Sequence, residues 1–392
     1  MVKQECTAAD RQIKVPHILF PKWEILQVKG GVTMTIFSCK TKILSGNRAI
    51  AGLGELNIRR LLLVADPYFQ KTELPQRLKT ASKAAEMATF FAVKPDPTVE
   101  LSAQGTALVQ SFKPDTVVAL GGGSAMDCAK AMVYFSGLPI TFVAIPTTSG
   151  SGSEVTDFAI LTHDGVKHPL VDRKLQPDVA ILDGELLHSL PKSLVADAGY
   201  DILAHALESY VARNAGSISR ALAADAFYGA FTLLPASFRG DSAVRLRIHE
   251  AATMAGIAFS QSGLGLCHAI SHALGGQFHL PHGRLNAILL PAVVEANSAA
   301  NAQYADLARR AGLGGTADTV AVRNLKNALI RLRKELGLPA TLSQAGIPPR
   351  EVRQAADAIV AAALQDPCSA TNPVRPDEKM VRHILQQVTG LE

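Results

Sequence analysis

The sequence predicts an α/β unit built on a parallel sheet, followed by an all-helical unit. Three observations carry this. From about residue 34 to 185, β-branched apolar runs alternate with segments of helical spacing. Near "SLPKS" (189–193) the alternation stops and strand signals nearly vanish. Alanine-rich helical segments then run to Glu392. Strand and helix alternating at this spacing put helices on both faces of a parallel sheet. A chain of 392 residues is long enough to bury more than one core.

Taken in order, Met34 follows "KGGVT" and opens the strand-like "TIFSCKTKIL". Residues 1–33 read as an extension outside the main fold. "RRLLLVAD" (59–66) is a buried-strand pattern, and "ELPQRLKTASKAAEMA" (73–88) has helical spacing. "TFFAVKPD" (89–96) reads as a strand and "TVELSAQGTALVQSF" (98–112) as a helix. "DTVVALGGGSAMDCAKAMVYF" and "PITFVAIPTTSGSGSE" continue the alternation. Pro191, with serines at 189 and 193, marks a boundary and a helix start. The expected units are therefore 34–188 and 189–392. Within the second, "YDILAHALESYVARNA", "ISRALAADAFYGAFTLL" and "AVRLRIHEAATMAGIAFSQ" are helices.

Composition narrows the class. Hydrophobic residues are 48% and charged residues 19%, and the net charge is only +5. Lys and Arg are scattered, which gives no support to a nucleic-acid surface. No uninterrupted apolar run approaches the roughly 20 residues that cross a bilayer, so no membrane partner is expected. Five cysteines (Cys6, Cys39, Cys128, Cys267, Cys368) form no CxxC pair. That pattern fits a reducing, cytoplasmic setting. The N-terminus carries Asp and Glu and lacks an apolar h-region, unlike a secretory leader.

Two loops suggest a phosphate-bearing ligand. "VVALGGGSAMD" sets Gly121, Gly122, Gly123 and Ser124 between a strand and a helix. Glycines let backbone approach a pyrophosphate, and the helix N-terminus offers free N–H groups. This is not the G-x-G-x-x-G fingerprint, and a tight strand–helix turn explains it equally well. "AIPTTSGSGSE" (144–154) also follows a strand. Two such loops at the carboxyl ends of parallel strands face one crevice. Asp66 ends the strand "LLLVAD"; a carboxylate there accepts from a ribose 2′-OH and repels a 2′-phosphate, favouring NAD over NADP. Taken alone, Asp66 is an ordinary turn or cap residue.

The stretch "CHAISHALGGQFHLPHG" (267–283) holds four of the eleven histidines. His268 and His272 are spaced i, i+4, as are Asp201 and His205 in "GYDILAHALE". On a helix that spacing puts both side chains on one face. His282 follows a Gly-Gly break and precedes Gly283. Each histidine alone is an ordinary core or surface residue. Together, one carboxylate and several imidazoles suit a borderline divalent metal. A nicotinamide crevice beside a divalent metal implies Lewis-acid assistance to hydride transfer.

The set "GGGSAMD", "PTTSGSGSEVT", "QPDVAILD", "GYDILAHALE" and "GLGLCHAISHALGGQFHLPHG" resembles the iron-containing (group III) alcohol dehydrogenase family over residues 34–392. "MTIFSCKTKILSG", "KPDPT" and "GGQFHLPHG" are most similar to the propanol dehydrogenases of propanediol-utilising microcompartments. The resemblance implies a Rossmann-like N-terminal domain and a helical metal-binding domain. It implies metal ligands at Asp201, His205, His268 and His282, with His272 as a proton-exchange residue and His279 outside the ligand set. It implies cofactor contacts at Asp66, Asp96, Gly121, Gly122, Gly123, Ser124, Asp127, Thr147, Thr148, Thr156 and Lys167. Thr156, Phe158, Phe259 and Cys368 fall where such enzymes line the substrate pocket.

The implied activity is an NAD(H)-linked reduction of short-chain aldehydes, propanal to 1-propanol foremost, with Fe(II) favoured and Zn(II) accepted by the same donors. A homo-oligomer is implied, and microcompartment shell or cargo proteins are candidate partners. For residues 1–33 a docking segment and a mis-assigned start both fit. Three features depart from the family pattern: Tyr200 beside the ligand aspartate, Arg284 after His282, and alanine in "ADAGYD" where a threonine is customary. Two other readings are a related polyol (glycerol-type) dehydrogenase or dehydroquinate synthase of shared architecture, and a non-catalytic microcompartment protein. The intact ligand set and glycine loop argue against the last.

Overall fold

The computed structural model describes residues 26–28, 32–34 and 36–390. Most of the proposed 1–33 extension lies outside the described residues. The strands are β1 (Leu26–Val28), β2 (Val32–Met34), β3 (Lys42–Gly46), β4 (Arg60–Ala65), β5 (Glu86–Phe90), β6 (Thr116–Gly121), β7 (Thr141–Pro146), β8 (Phe158–His163), β9 (Val166–Val171) and β10 (Val179–Asp183). Six of them form one sheet in the order β3-β10-β7-β6-β4-β5, every neighbouring pair parallel. β1–β2 and β8–β9 are separate antiparallel pairs. The central strands are buried on both faces. Leu61, Leu63, Val118, Leu120, Val143 and Ile145 pack into one core, and Leu62, Val64, Val117, Ala119 and Ala144 into another. This is why they read as unbroken apolar runs in the sequence.

α1 (Leu74–Ser82), α2 (Val99–Phe112) and α3 (Gly123–Ser136) belong to this half. The other half is helical: α4 (Lys192–Val211), α5 (Ser217–Arg239), α6 (Arg245–Ser262), α7 (Leu266–Phe278), α8 (His282–Ala296), α9 (Asn301–Arg310), α10 (Asp318–Glu335), α11 (Pro349–Gln365), the short α12 (Pro367–Thr371) and α13 (Glu378–Thr389). α4 runs through its centre and is buried almost along its whole length. α5 is long and apolar enough to cross a membrane. Here it packs against α4 and α6 and carries Arg220, Asp225 and Arg239.

Three local expectations are corrected. The helix read over 73–88 stops at Ser82, where Lys83 adopts a left-handed φ of 55°. "EMATF" (86–90) is strand instead, paired in register from Arg60↔Glu86 to Val64↔Phe90. Sheet pairing overrides the helical propensity of its Glu, Met and Ala there. The strand read from "TIFSCKTKIL" forms only at Lys42–Gly46, beside β10. Finally, the β8–β9 hairpin escaped the reading. Its turn is Asp164-Gly165, both at positive φ, which is the strongest short hairpin signal a sequence carries.

The sheet order places the chain's reversal between β4 and β6, and ligands of open α/β sheets bind in the crevice at such a point. Asp66 follows β4, and Gly121 ends β6.

Candidate metal and cofactor site

Helix α4 presents Asp201, His205 and Glu208 at i, i+4 and i+7, all buried. α7 contributes His268, also buried. α8 begins at His282, which meets Asp201 because Gly283 lets α8 lie against α4. A Cβ on Gly283 would sit 1.9 Å from the Asp197 carbonyl oxygen, so no other residue fits without parting the helices.

One donor atom from each of Asp201, His205, His268 and His282 lies within 4.8 Å of the others. Asp201 is the hub: its oxygens lie 3.9 Å from His205 Nδ1, 3.9 Å from His268 Nε2 and 3.7 Å from His282 Nε2. The His205 and His268 rings stack at 4.5 Å. Burial pushes His205 below the usual imidazole range against the pull of Asp201. Burial and the neighbouring imidazoles push His268 well below it. Neutral imidazoles offer lone pairs. His205 Nδ1 is buried with no hydrogen-bond partner, an atom that costs free energy unless something accepts its lone pair. Tetrahedral contacts of about 2.1 Å put donors about 3.4 Å apart. The three spacings from Asp201 are within about 0.5 Å of that, and all four donors lie within 4.8 Å of one another, so these residues fit a divalent metal after a small closure.

Two residues that the sequence reading missed hold this set in place. Glu208 is 2% exposed. It accepts from the backbone N–H groups of Gly265 (2.9 Å), Cys267 (2.6 Å) and His268 (3.3 Å), and its Oε2 lies 2.6 Å from His268 Nδ1. Burial raises its carboxyl to about 7 against those hydrogen bonds. A carboxylate on Nδ1–H fixes the tautomer and presents the Nε2 lone pair, which Asn286 Nδ2 meets at 3.2 Å and a metal would take in its place. Asn286 donates to Asp201 Oδ1 at 2.7 Å, and Ser271 donates to its carbonyl oxygen. Both were within reach of the sequence: Glu208 extends the Asp201–His205 face, and Asn286 follows His282 by one turn.

His272 stands apart from the quartet. Its ring stacks on His282 at 5.2 Å, and its Nδ1 is 2.8 Å from Asp366 Oδ2. Burial disfavours its charge, but Asp366 outweighs this and raises its pKa. No local signal pointed to Asp366, which lies far along the chain. His279 is exposed and caps α7 in a left-handed conformation; it takes no part in the quartet. The three departures are also accounted for. Arg284 forms a two-point pair with Asp197 at 3.1 and 2.8 Å, so its charge is matched. Tyr200 points away, its hydroxyl donating to the Leu329 carbonyl. Ala198 packs against Gly150.

The crevice side is assembled from the two glycine loops. Thr147 N–H donates to the Gly121 carbonyl at 2.9 Å. A Cβ on Gly122 would meet Thr148 at 3.2 Å and one on Gly123 would meet Ser151 at 3.3 Å. Ser124 is in the first turn of α3. Asp66 caps its turn, one oxygen accepting from Tyr68 N–H at 2.9 Å; the other lies 3.7 Å from the Cβ position of Gly121. Asp96 and Lys167 pair with each other at 2.7 Å. Asp127 accepts from Ser153 (2.9 Å) and the Ile160 N–H (3.2 Å). Thr156 has no exposed surface, and its hydroxyl and carbonyl oxygens each accept from Lys130 Nζ at 2.9 Å. It stands behind the crevice wall. The sequence reading did not single out Lys130. Phe259 stacks on His205 at 4.6 Å and lies 6.1 Å from Phe158, giving an aromatic wall beside the quartet. Cys368 donates its N–H to Asp366 at 2.8 Å.

The iron-containing alcohol dehydrogenase model matches residues 40–184, and the C-terminal model of the Fe-containing alcohol dehydrogenase family matches residues 195–389. The chain belongs to the iron-containing alcohol dehydrogenase family. It is 40% identical to 1-propanol dehydrogenase PduQ of Citrobacter freundii, over 91% of this chain and all of that protein. It is 35% identical to an NADPH-dependent butanol dehydrogenase of Clostridium saccharobutylicum, over 88% and 93% of the two chains. The sulfoacetaldehyde reductase of Bifidobacterium kashiwanohense, solved in complex with NAD+, superposes with a TM-score of 0.82 at 26% identity, over 92% of this chain and all of that one. The family resemblance read from the glycine loop and histidine segment is thereby shown. So is the architecture of a Rossmann-like domain followed by a helical one. An oxidoreductase of the alcohol dehydrogenase type is what this iron-containing family member is.

Proposed function

We propose that this chain is an NAD(H)-linked, metal-dependent reductase of short-chain aldehydes, with propanal to 1-propanol as its leading reaction. One observation supports this most: the Asp–His–His–His donor set adjoins an aromatic wall, and the helix that carries Asp201 and His205 lies against the second glycine loop, where a Cβ on Gly150 would meet Ala198 at 3.1 Å. Asp201, His205, His268 and His282 would hold the metal, which we assign as Fe(II), with Zn(II) an acceptable substitute. When bound, the metal polarises an oxygen as a Lewis acid and the nicotinamide supplies hydride.

The chain's own residues do the rest. Phe158 and Phe259 keep water off one side and offer apolar surface to a short alkyl chain. Glu208 and Asn286 hold His268 and Asp201 in place. His272, oriented through Nδ1 by Asp366, carries a proton at the pocket mouth for the alcohol oxygen, with water as the alternative source. The loops at Gly121–Ser124 and Thr147–Ser151 would cradle the pyrophosphate, with Asp96, Asp127 and Lys167 at the crevice. The free Oδ2 of Asp66 would face a ribose 2′-OH and disfavour a 2′-phosphate. The 40% identical 1-propanol dehydrogenase supports the substrate. The NADPH-dependent butanol enzyme shows that both the alcohol and the dinucleotide need testing on this chain.

The test is a steady-state survey of C2 to C4 aldehydes with NADH and NADPH, on anaerobically purified protein of known metal content. Propanal with NADH should give the highest kcat/KM. Higher kcat/KM with NADPH overturns the placement of Asp66, and no turnover of any aldehyde overturns the activity.

A further inference from the structure

Three groups beside the quartet, one exposed and two half-buried, have a chemistry of their own. A ring nitrogen of His272, a carboxylate oxygen of Asp366 and Sγ of Cys368 lie within 4.8 Å of one another. We propose that they form a second metal-binding site, for a thiophilic divalent ion such as Zn(II), at the mouth of the substrate pocket. The site is built from two elements. α7 carries His272. Asp366 caps α12, accepting the Cys368 N–H at 2.8 Å, which pins the carboxylate and the thiol side by side. The carboxylate's other oxygen reaches His272 Nδ1 at 2.8 Å.

The donor set is nitrogen, oxygen and sulfur, the mixture that Zn(II) takes in a tetrahedron with water as fourth ligand. Zinc contacts of about 2.0–2.3 Å put such donors roughly 3.3–3.7 Å apart. From the 4.8 Å bound the sulfur must therefore close by up to about 1.5 Å, while the His272–Asp366 pair opens from 2.8 Å. The His272 side chain is 44% exposed, so it is free to make that movement and leaves a route in from solvent. On binding, the thiol proton passes to solvent, the Nδ1 proton of His272 is exchanged through solvent to Nε2, and the His272–Asp366 hydrogen bond is replaced by two bonds to the ion. The quartet contains no sulfur, so the two sites differ in kind. His272 stacks on His282 at 5.2 Å, so they are also neighbours.

A consequence rests on the function proposed above. An ion held by His272 and Cys368 removes the proton-carrying imidazole and fills the pocket mouth, so it inhibits aldehyde reduction. Zinc then acts on this chain in two opposite ways, accepted at the quartet and inhibitory next to it.

The decisive measurement is anaerobic titration of the full, metal-free chain with Co(II), followed by absorption. Two equivalents should bind, the second with a near-ultraviolet sulfur-to-cobalt charge-transfer band that the quartet cannot produce. Cys368→Ser should abolish the band and leave one equivalent. Cys39→Ser, which removes a free thiol elsewhere in the chain, should keep both. One equivalent with no band in the unaltered chain overturns the site, as does a band that survives Cys368→Ser. This readout is independent of turnover, so it decides the site even if no aldehyde proves to be a substrate. Zn(II) added to the iron-loaded enzyme should then lower propanal reduction in proportion to the second sites filled. Filled sites with undiminished turnover overturn the inhibition and, with it, the placement of His272 and Cys368 in the substrate pocket.

Discussion

Replacing Glu208 by glutamine removes one charge and changes no shape, so it isolates what the carboxylate does for His268. Oε2 of Glu208 serves three donors, the Gly265 and His268 N–H groups and His268 Nδ1, while Oε1 serves Cys267 N–H alone. The amide NH2 of a glutamine must face one set or the other. Facing Cys267 is cheaper, because only one buried N–H then loses its acceptor, at about 1–3 kcal/mol. In that orientation the amide oxygen still accepts from Nδ1, so His268 keeps its tautomer. It loses only the charge of its partner. Removing such supporting groups costs about 10–100-fold in metal affinity. Glu208→Gln therefore belongs near the tenfold end, about 1.4 kcal/mol. Glu208→Ala leaves all four donors without an acceptor and frees the ring, so it belongs near the hundredfold end. The assay is competition for metal against a chelator of known affinity, with denaturant unfolding of the metal-free chain alongside. Glu208→Gln should bind metal about tenfold more weakly than the unaltered chain, and Glu208→Ala weaker still. Metal affinity in Glu208→Gln within about twofold of the unaltered chain would refute the assignment of Glu208, since the lower bound of the expected range is about tenfold.

His268→Ala should lose metal and nearly all activity while retaining the fold by circular dichroism, whereas His279→Ala, altering an exposed cap, should keep both. Full metal content in His268→Ala would sink the ligand set. Gly283→Ala forces a Cβ to within 1.9 Å of the Asp197 carbonyl oxygen; it should part α8 from α4, with a stability loss of about 1–3 kcal/mol and reduced metal content by elemental analysis. Burial lowers Lys130 to about 8 from 10.5, so the unfolded chain holds that proton more tightly than the folded one. Between those values stability should therefore rise with pH, by up to about 3 kcal/mol, and Lys130→Met should lack this rise in parallel denaturant series. A parallel pH response in the two proteins would show that Lys130 does not titrate in this window.

How much was legible in the sequence follows from burial. β4, β6 and β7 lie inside the sheet, so residues such as Leu61 to Ala65 and Val117 to Leu120 are apolar without interruption. β3 and β5 are its edges, half-exposed, and their mixed side chains hide the strand. In "KAAEMATF" only pairing with β4 makes a strand of the last five residues, and pairing is a property of the whole chain. The ligands were readable for a different reason. Asp201 with His205 is a one-turn pair on a single helix, so spacing reports proximity directly. His282 was harder, since it starts a new helix, and its approach to Asp201 depends on the absent side chain of Gly283. Asp366 was out of reach. It meets His272 only because α12 folds back onto α7, and nothing near either residue announces it. Lys130 looked like any solvated helix residue, yet it is 1% exposed and its Nζ is held by Ser153, Thr156 and Phe158.

The proposed hydride transfer between a crevice in one domain and a metal in the other would require the two to be held in register, and the contacts across the seam show how. The second glycine loop is fastened at both ends to α6 of the helical domain. Ser149 Oγ meets His249 Nδ1 at 2.8 Å, and Thr253 donates to Glu154 at 2.6 Å, each pair buried. Gly152 and Gly256 bring the same segments together: a Cβ on Gly152 would lie 2.7 Å from the Gly256 Cα. The loop continues to Thr156, which Lys130 ties back to α3, the helix that follows the first glycine loop. α6 also carries Phe259, stacked on His205. One chain of direct contacts therefore runs from the first glycine loop through Lys130, Thr156 and α6 to His205 of the proposed metal quartet. A substitution along it, such as Thr253→Val, leaves Glu154 buried without its donor at a cost of about 1–3 kcal/mol, although it touches neither site. It should lower kcat at saturating aldehyde and NADH more than it lowers metal affinity, because the ligands stay and the register shifts. Equal losses in kcat and in metal affinity would show instead that α6 supports the quartet itself.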